Sequence, residues 1–206
     1  LVFCTILLSA CVNHISEEEE DSVNNGDIPL KFTADIHEAT YTRVAGNGFE
    51  ENDEVGVFAL VGSSTMKEER YADNLRFFRT SEKVFESSEP IYYPDDEVTL
   101  RLISYYPYQE EGVNMGESTM SVAVETDQNL SAGYFCSDFL VASQNLQSAP
   151  KGAIALHYDH KFFKLKIALV GKEGEELQGI LDADPKLSVC GFYTKAIYDF
   201  QKETYS

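Results

Sequence analysis

Two histidines and an aspartate fall within four residues, His157, Asp159 and His160, and imidazole with carboxylate is a donor set that transition metals accept. The residues around them read as a strand, along which side chains alternate between faces, so His157 points away from His160. The two cannot meet on one ion without a bulge between them. The favoured reading is a core-facing histidine beside an exposed one, and no metal is assigned. Asp182 and Asp184, ahead of Pro185, could touch calcium in a loop, but such residues more often bond the local backbone and build a turn. Gly46-Asn47-Gly48 lacks the third glycine, the preceding nucleotide-fold strand and the following helix of a phosphate cradle, so it reads as a turn. Ser63-Ser64 follows Gly62 without forming the elbow of an activated serine. Triads and acid pairs assemble in space rather than in sequence, so an enzyme is not excluded. Nothing here supports one, and no cofactor is implied.

The clearest chemistry belongs to a thiol, that of Cys11. Leu1 to Ala10 is almost wholly apolar, carries no charge and ends in small residues, the pattern of a signal-peptide core. It is too short to cross a bilayer, for which about 20 apolar residues are needed. The run Leu8-Ser9-Ala10-Cys11 resembles the lipobox of bacterial lipoproteins. That resemblance implies a diacylglycerol on the Cys11 sulfur and, after cleavage, a further acyl chain on the new amine. At roughly 0.8 kcal/mol per buried methylene, two or three chains hold a protein to a membrane almost permanently, whereas one does not. An ordinary secretory signal with a chance cysteine is the bland alternative. With neither an initiator Met nor a basic region ahead of Leu1, the chain is expected to be truncated at its front.

Val12 to Asp27 contains Ser16-Glu17-Glu18-Glu19-Glu20-Asp21 and Asn24-Asn25-Gly26, a like-charged polar stretch that cannot bury enough surface to fold. It reads as a tether, long enough when extended to hold a domain on the order of 50 Å from the lipid at roughly 3.3 Å per residue. An acidic run just behind a lipidated cysteine also resembles the surface-export signal of Bacteroidetes lipoproteins, with a solvated spacer as the alternative. Over the whole chain 35 acidic residues face 16 basic ones, a net charge of -19 that would repel phosphate backbones, so nucleic acid is excluded as an expected partner. Cys136 and Cys190 are the thiols left to the folded part, and either a disulfide or two buried hydrophobes is open to them. No CxxC spacing suggests a structural metal.

The elements that would carry these groups read as strands. With 206 residues, 43% hydrophobic and 12% aromatic, the chain can build a real core. Ile28, Leu30, Phe32, Ala34 and Ile36 alternate along one face of a first strand, and Pro29 suits its start. Val55 to Val61, Val84 to Phe85 with Ile91 to Tyr93, Val98 to Tyr105, and Met120 to Val124 continue the pattern between turn residues. In Ala153 to Val170 the apolar parity changes near Lys161 and Phe162, which predicts either a bulge or a break into two strands. Ser137 to Ser143 reads as a short helical turn. Many short strands separated by turns predict an all-β protein with a β-sandwich of antiparallel strands. Tyr92, Tyr93, Tyr105, Tyr106 and Tyr108 could form an aromatic platform for sugar rings, the basis of an alternative function as a surface glycan-binding lipoprotein. Strand and turn positions account for the same tyrosines as core residues.

Taken in order, several segments resemble the fimbrillin family of Bacteroidetes, whose members build or anchor pili and commonly begin as lipoproteins. They are the first strand, Thr42-Arg43, the stretch Phe49-Glu50-Glu51-Asn52-Asp53-Glu54-Val55-Gly56-Val57-Phe58, then Ile91-Tyr92-Tyr93-Pro94 and Tyr105-Tyr106-Pro107-Tyr108. Asp127-Gln128, Ser137-Asp138-Phe139-Leu140-Val141-Ala142 and Leu156-His157-Tyr158-Asp159-His160-Lys161-Phe162-Phe163-Lys164-Leu165 complete the series. Each is weak alone, and their order over most of the chain is what makes the resemblance specific. Asn52 stands where glycine is usual, and Phe49 where tryptophan is common.

The resemblance implies transthyretin-like β-sandwich domains. Residues 28–185 would form the N-terminal one, and 186–206 its last strand or the opening of a truncated C-terminal domain. It further implies a structural subunit or anchor of surface fimbriae, an outer membrane lipoprotein located at the cell surface or in the fimbrium. Its partners would be other fimbrial subunits, the membrane through the lipid at Cys11, and a host or bacterial surface ligand. In pilus subunits of the family an arginine-specific protease removes the first strand and a neighbour's strand fills the groove, which makes Arg43 the candidate processing site and Ile28 to Ile36 the plug.

Overall fold

The computed structural model describes residues 29–37, 48–94, 98–126, 136–163, 165, 167, 170, 177–182 and 190–205. Cys11, the acidic tether, Ile28, Arg43, Asp127-Gln128 and Asp184 lie outside the described residues.

Ten strands are β1 (Phe32–Ile36), β2 (Glu54–Val61), β3 (Ala72–Arg79), β4 (Phe85–Glu86), β5 (Leu100–Tyr106), β6 (Thr119–Ala123), β7 (Leu140–Leu146), β8 (Ile154–His160), β9 (Lys195–Asp199) and β10 (Thr204–Tyr205). A short helix, α1, spans Leu177–Asp182 among the described residues. The expected all-β class is what the chain adopts. Seven strands close into a barrel in the order β1-β4-β3-β2-β5-β7-β8, and a separate sheet runs β10-β9-β6.

Alternating apolar residues fill the barrel. Val55, Val57 and Ala59 of β2, Leu100 and Leu102 of β5, and Ile154, Leu156 and Tyr158 of β8 form one buried cluster. The opposite parity of β2, β5 and β7 forms a second: Phe58, Leu60, Ile103, Tyr105 and Val141 meet Met120 and Val122 of β6 and Tyr198 and Phe200 from the β9 end. The barrel wall and the small sheet thus stack as two layers, the sandwich sense of the fold. This explains why β2 is a continuous apolar run, for a strand covered on both faces has no polar side to show.

Inside the wall, Gly56 lies opposite Tyr105. A Cβ on Gly56 would come within 2.2 Å of the tyrosine ring, so only glycine lets that ring lie flat over β2. The Tyr105 hydroxyl donates to Asn74 Oδ1 at 2.7 Å. Asn74 has φ of 50°, at the register shift between β2 and β3. Asn is among the few residues that tolerate this left-handed backbone, and the bulge turns its amide toward the 107–118 loop.

Several sequence expectations change. Ser137 to Ser143 is not a helical turn, because from Leu140 onward it is β7, paired with β5 and β8 and buried on both faces at Leu140, Val141 and Ala142. β3 carries Asp73, Asn74 and Arg76 among its apolar residues and had no alternation to announce it. The parity change near Lys161 is a break: β8 ends at His160, and the Lys161 amide turns to the Phe139 carbonyl. Among the described residues one pair is not antiparallel, β1 with β8. Seven strands cannot close a ring with every neighbour reversed, so one parallel seam is forced, and it falls where the first strand meets the last of the barrel.

Candidate functional site: the first strand and its bed

β1 sits at the one parallel seam among the described strands, with little backbone pairing on its other side. Its ladder to β8 runs from Phe32↔Ile154 to Ile36↔Tyr158, in the parallel arrangement that is slightly less stable per residue. The ladder continues at either end, where Ile154 N–H donates to the Lys31 carbonyl and His37 N–H to the Tyr158 carbonyl, each at 2.9 Å. On the other side β4 offers a single pair, Phe32↔Phe85.

Side chains hold what the backbone does not. Leu30, Phe32, Ala34 and Ile36 face the barrel interior, as the alternation predicts for the four that are described. Phe32 is 1% exposed, its ring stacked on Phe85 at 5.0 Å and tilted against Phe77 at 5.1 Å. Full burial of an aromatic of this size contributes about 2 kcal/mol or more. Phe49, ahead of β2, closes the same end with edge contacts to Phe85, Tyr106 and Tyr158.

A small pocket opens at that end, lined by Ile36, Phe49, Glu50, Asp53, Tyr106, Asp138 and Leu140. Burial pushes the Asp53 carboxyl up, against the hydrogen bond it accepts from the Glu50 amide at 2.7 Å. Burial likewise raises the Tyr106 phenol, and the carboxylates of Asp53 and Asp138 add to the shift. These are acidic groups kept partly dry beside Ile36 of β1, and they offer hydrogen bonds rather than a nucleophile.

The outer face of β1 is polar. Lys31 pairs with Glu86 at 2.6 Å. Asp35 pairs with His157 at 2.5 Å and His37 with Asp159 at 2.8 Å, with the two imidazoles parallel at 5.5 Å. The strand therefore sends His157 outward, while His160 turns to Asp138 at 2.6 Å, so the two histidines diverge as alternation requires. Among the described residues no group of three His, Cys, Asp or Glu converges on a common point for a metal ion. Cys136 and Cys190 are exposed and unpaired, neither bridged nor buried. The tyrosines of the sugar-platform reading do not share a surface. Tyr93 and Tyr105 are buried in different clusters, Tyr106 packs on Phe49, Tyr108 lies under Arg76, and Tyr92 is exposed.

Two positioning residues had no sequence signal. Arg70, 6% exposed, donates to the carbonyls of Met66, Val113, Asn114 and Glu117 at 2.7 to 3.0 Å, and to Asp73. The His37 contacts on β8 lie 122 residues away, a pairing only the closed barrel reveals.

With this geometry in place, the comparisons identify the kind of protein. A family profile described as fimbrillin-like matches residues 42–206, and the chain belongs to that family. Among curated relatives, a Bacteroides uniformis protein named as fimbrium subunit Fim1C is 24% identical over 209 aligned residues, covering 96% of this chain. The chain spans 64% of that relative's length. Among solved structures, a Bacteroides ovatus protein described as a cell adhesion protein matches 65% of this chain and 52% of its own at 17% identity, with a TM-score of 0.46. A Bacteroides uniformis cell adhesion protein matches 65% and 47% at 19% identity and a TM-score of 0.44.

Proposed function

We propose that this chain is a structural subunit or anchor of cell-surface fimbriae, exported as a lipoprotein through Cys11 and assembled by strand addition, with β1 as the plug that a neighbour's strand replaces. The observation that carries the reading is β1 itself: a short strand near the start of the folded part, fully apolar inward, joined by a parallel seam on one side and one residue pair on the other. The fimbrillin-like match beginning at residue 42 leaves β1 outside it, which agrees with a strand separable from the rest.

Removing β1 would bare Phe77, Phe85, Ile154, Leu156 and Tyr158 to water. So long an apolar groove is unfavourable to leave open, and an incoming strand with alternating apolar side chains would fill it while its main chain rebuilds the ladders. Polymerisation would then run in one direction and reverse slowly. In this reading residues 1–10 are a signal peptide, 11–27 the lipidated tether and 28–185 the N-terminal domain. The pairing of β9 with β6 supports taking 186–206 as the closing strands of that domain. The partners are other fimbrial subunits and a host or bacterial surface ligand, the location is the outer membrane and the fimbrium, and the role is non-enzymatic.

Treating the exported protein with an arginine-specific protease should give a product starting at Val44 together with laddered oligomers. An Arg43→Ala protein that still polymerises under the same treatment would overturn the processing step. Metabolic labelling with a palmitate analogue should mark the protein and be lost in Cys11→Ala, whereas label that survives the substitution would remove the lipid anchor.

A further inference from the structure

The outer face of the β1–β8 seam carries two crossed ion pairs. Asp35 lies directly opposite His157 in the ladder, and His37 follows opposite Asp159, so each strand contributes one carboxylate and one imidazole. Both rings bond through Nδ1, at 2.5 Å to Asp35 and 2.8 Å to Asp159, and the rings stack 5.5 Å apart within 2° of parallel. All four side chains are more than half exposed, so protons reach them freely. The ladder they flank is the one that holds the plug.

We propose that Asp35, His37, His157 and Asp159 form a proton-operated latch, which tightens β1 on β8 when the imidazoles are charged and loosens it when they are neutral. The inference rests on the reading of β1 as the exchangeable strand for its use in assembly, while the latch itself rests on the cross-strand geometry.

The sign follows from the distances. With both rings protonated, two attractions act at 2.5 and 2.8 Å and one repulsion acts between ring centres at 5.5 Å. Coulomb energy falls with distance, so the close pairs prevail. Neutral rings keep a hydrogen bond to each carboxylate, but one of roughly half the strength. The hydrogen bond from His37 holds the Asp159 carboxyl below its ordinary range, against partial burial and with Lys161 assisting. Imidazole is the side chain whose charge changes between about pH 5 and 8, so the latch is made toward the acid end of that window and released toward the other.

The other charged groups nearby do not reverse this. On β1, Lys31 is turned to Glu86 of β4, and after β8 the Lys161 ammonium lies 3.5 Å from Asp159. From β7, Val141 lies opposite Asp159, and Asp138 just before that strand is engaged with His160. Acidification would thus keep a subunit plugged, and a rise toward neutral pH would ease the exchange of its first strand.

Amide hydrogen exchange of residues 30–37 in the intact, uncut protein tests this, with intrinsic exchange rates divided out at each pH. Opening of β1 should rise about fivefold from pH 5.5 to 8, the ratio expected for two exposed pairs, while β2 amides keep their protection. The slope should vanish in His37→Gln/His157→Gln and in Asp35→Asn/Asp159→Asn, both made at exposed positions. A pH-independent opening in the native sequence, or a slope that persists in the histidine double variant, would overturn the latch. No protease enters the measurement, so a flat result leaves the plug reading standing, and failure of cleavage at Arg43 leaves the exchange result intact.

Discussion

Arg70 shows how a single side chain can organise a long connection. Its guanidinium is enclosed beneath the 107–118 loop, over the Phe58 ring at 5.3 Å, with four carbonyls and the Asp73 carboxylate as acceptors. A lysine keeps the charge but presents three donors at one point, and cannot span carbonyls on both sides of the loop. Arg70→Lys should therefore cost about 3 kcal/mol in urea denaturation, since a buried cation is left underpaired. A loss under about 1 kcal/mol would contradict this bracing role.

Asp199, 4% exposed, plays the corresponding part for the small sheet. Burial opposes its charged form, but the Ser118 hydroxyl and the Gln201 and Lys202 amides outweigh it and hold the carboxyl below its ordinary range. A depressed native value means stability that is present above the unfolded carboxyl's pH of about 3.9 and is lost as pH falls below it. Asp199→Asn should lower stability by about 2 kcal/mol at pH 7 and flatten the acid limb below about pH 4, compared by urea midpoints at the two pH values. Neither residue was legible beforehand. Each acts on carbonyls or amides whose positions only the folded loops define.

At the level of elements, what the sequence revealed depended on how many faces a strand buries. β1 and β8 bury one face, and their alternation was visible residue by residue. β2 buries both and could be read as an apolar run, though without an indication of which parity faced which core. β7 was mistaken for a helical turn, because Leu140, Val141 and Ala142 are all buried and break the period of two. β3 was missed because its bulge at Asn74 interrupts the pattern with a left-handed residue that fixes Tyr105. The parallel seam was equally hidden, since it follows from the number of strands in the ring and from no local signal. The grip of β1 on the barrel is concentrated in one ring, that of Phe32. Phe32→Ala should destabilise the uncut protein by about 3 to 4 kcal/mol, with exchange protection lost first in β1 and β8. Uniform loss across all strands would show instead that β1 is an integral stave of the barrel.

The whole molecule combines a closed apolar interior with a strongly acidic exterior. A net charge of -19 disfavours casual contact between copies, so the proposed assembly would need a specific, deeply buried joint. Replacement of one apolar strand by another supplies such a joint, because the incoming side chains enter a bed that the barrel has already shaped. On the proposed reading, lipidation at Cys11 and cleavage after Arg43 would be successive states of one subunit: tethered and plugged before the cut, released from its own lipid and open to a neighbour after it. A subunit that escaped the cut would keep both plug and lipid, as a base anchor would. The most direct test adds a synthetic peptide of residues 28–36 to protein freshly cut after Arg43 and follows oligomer growth by size-exclusion chromatography. The peptide should occupy the vacated bed and hold the protein as a one-to-one monomeric complex, and a peptide with Phe32→Asp should not. Oligomers that form equally well with either peptide, or cut protein that stays monomeric with none, would contradict β1 as the exchangeable strand.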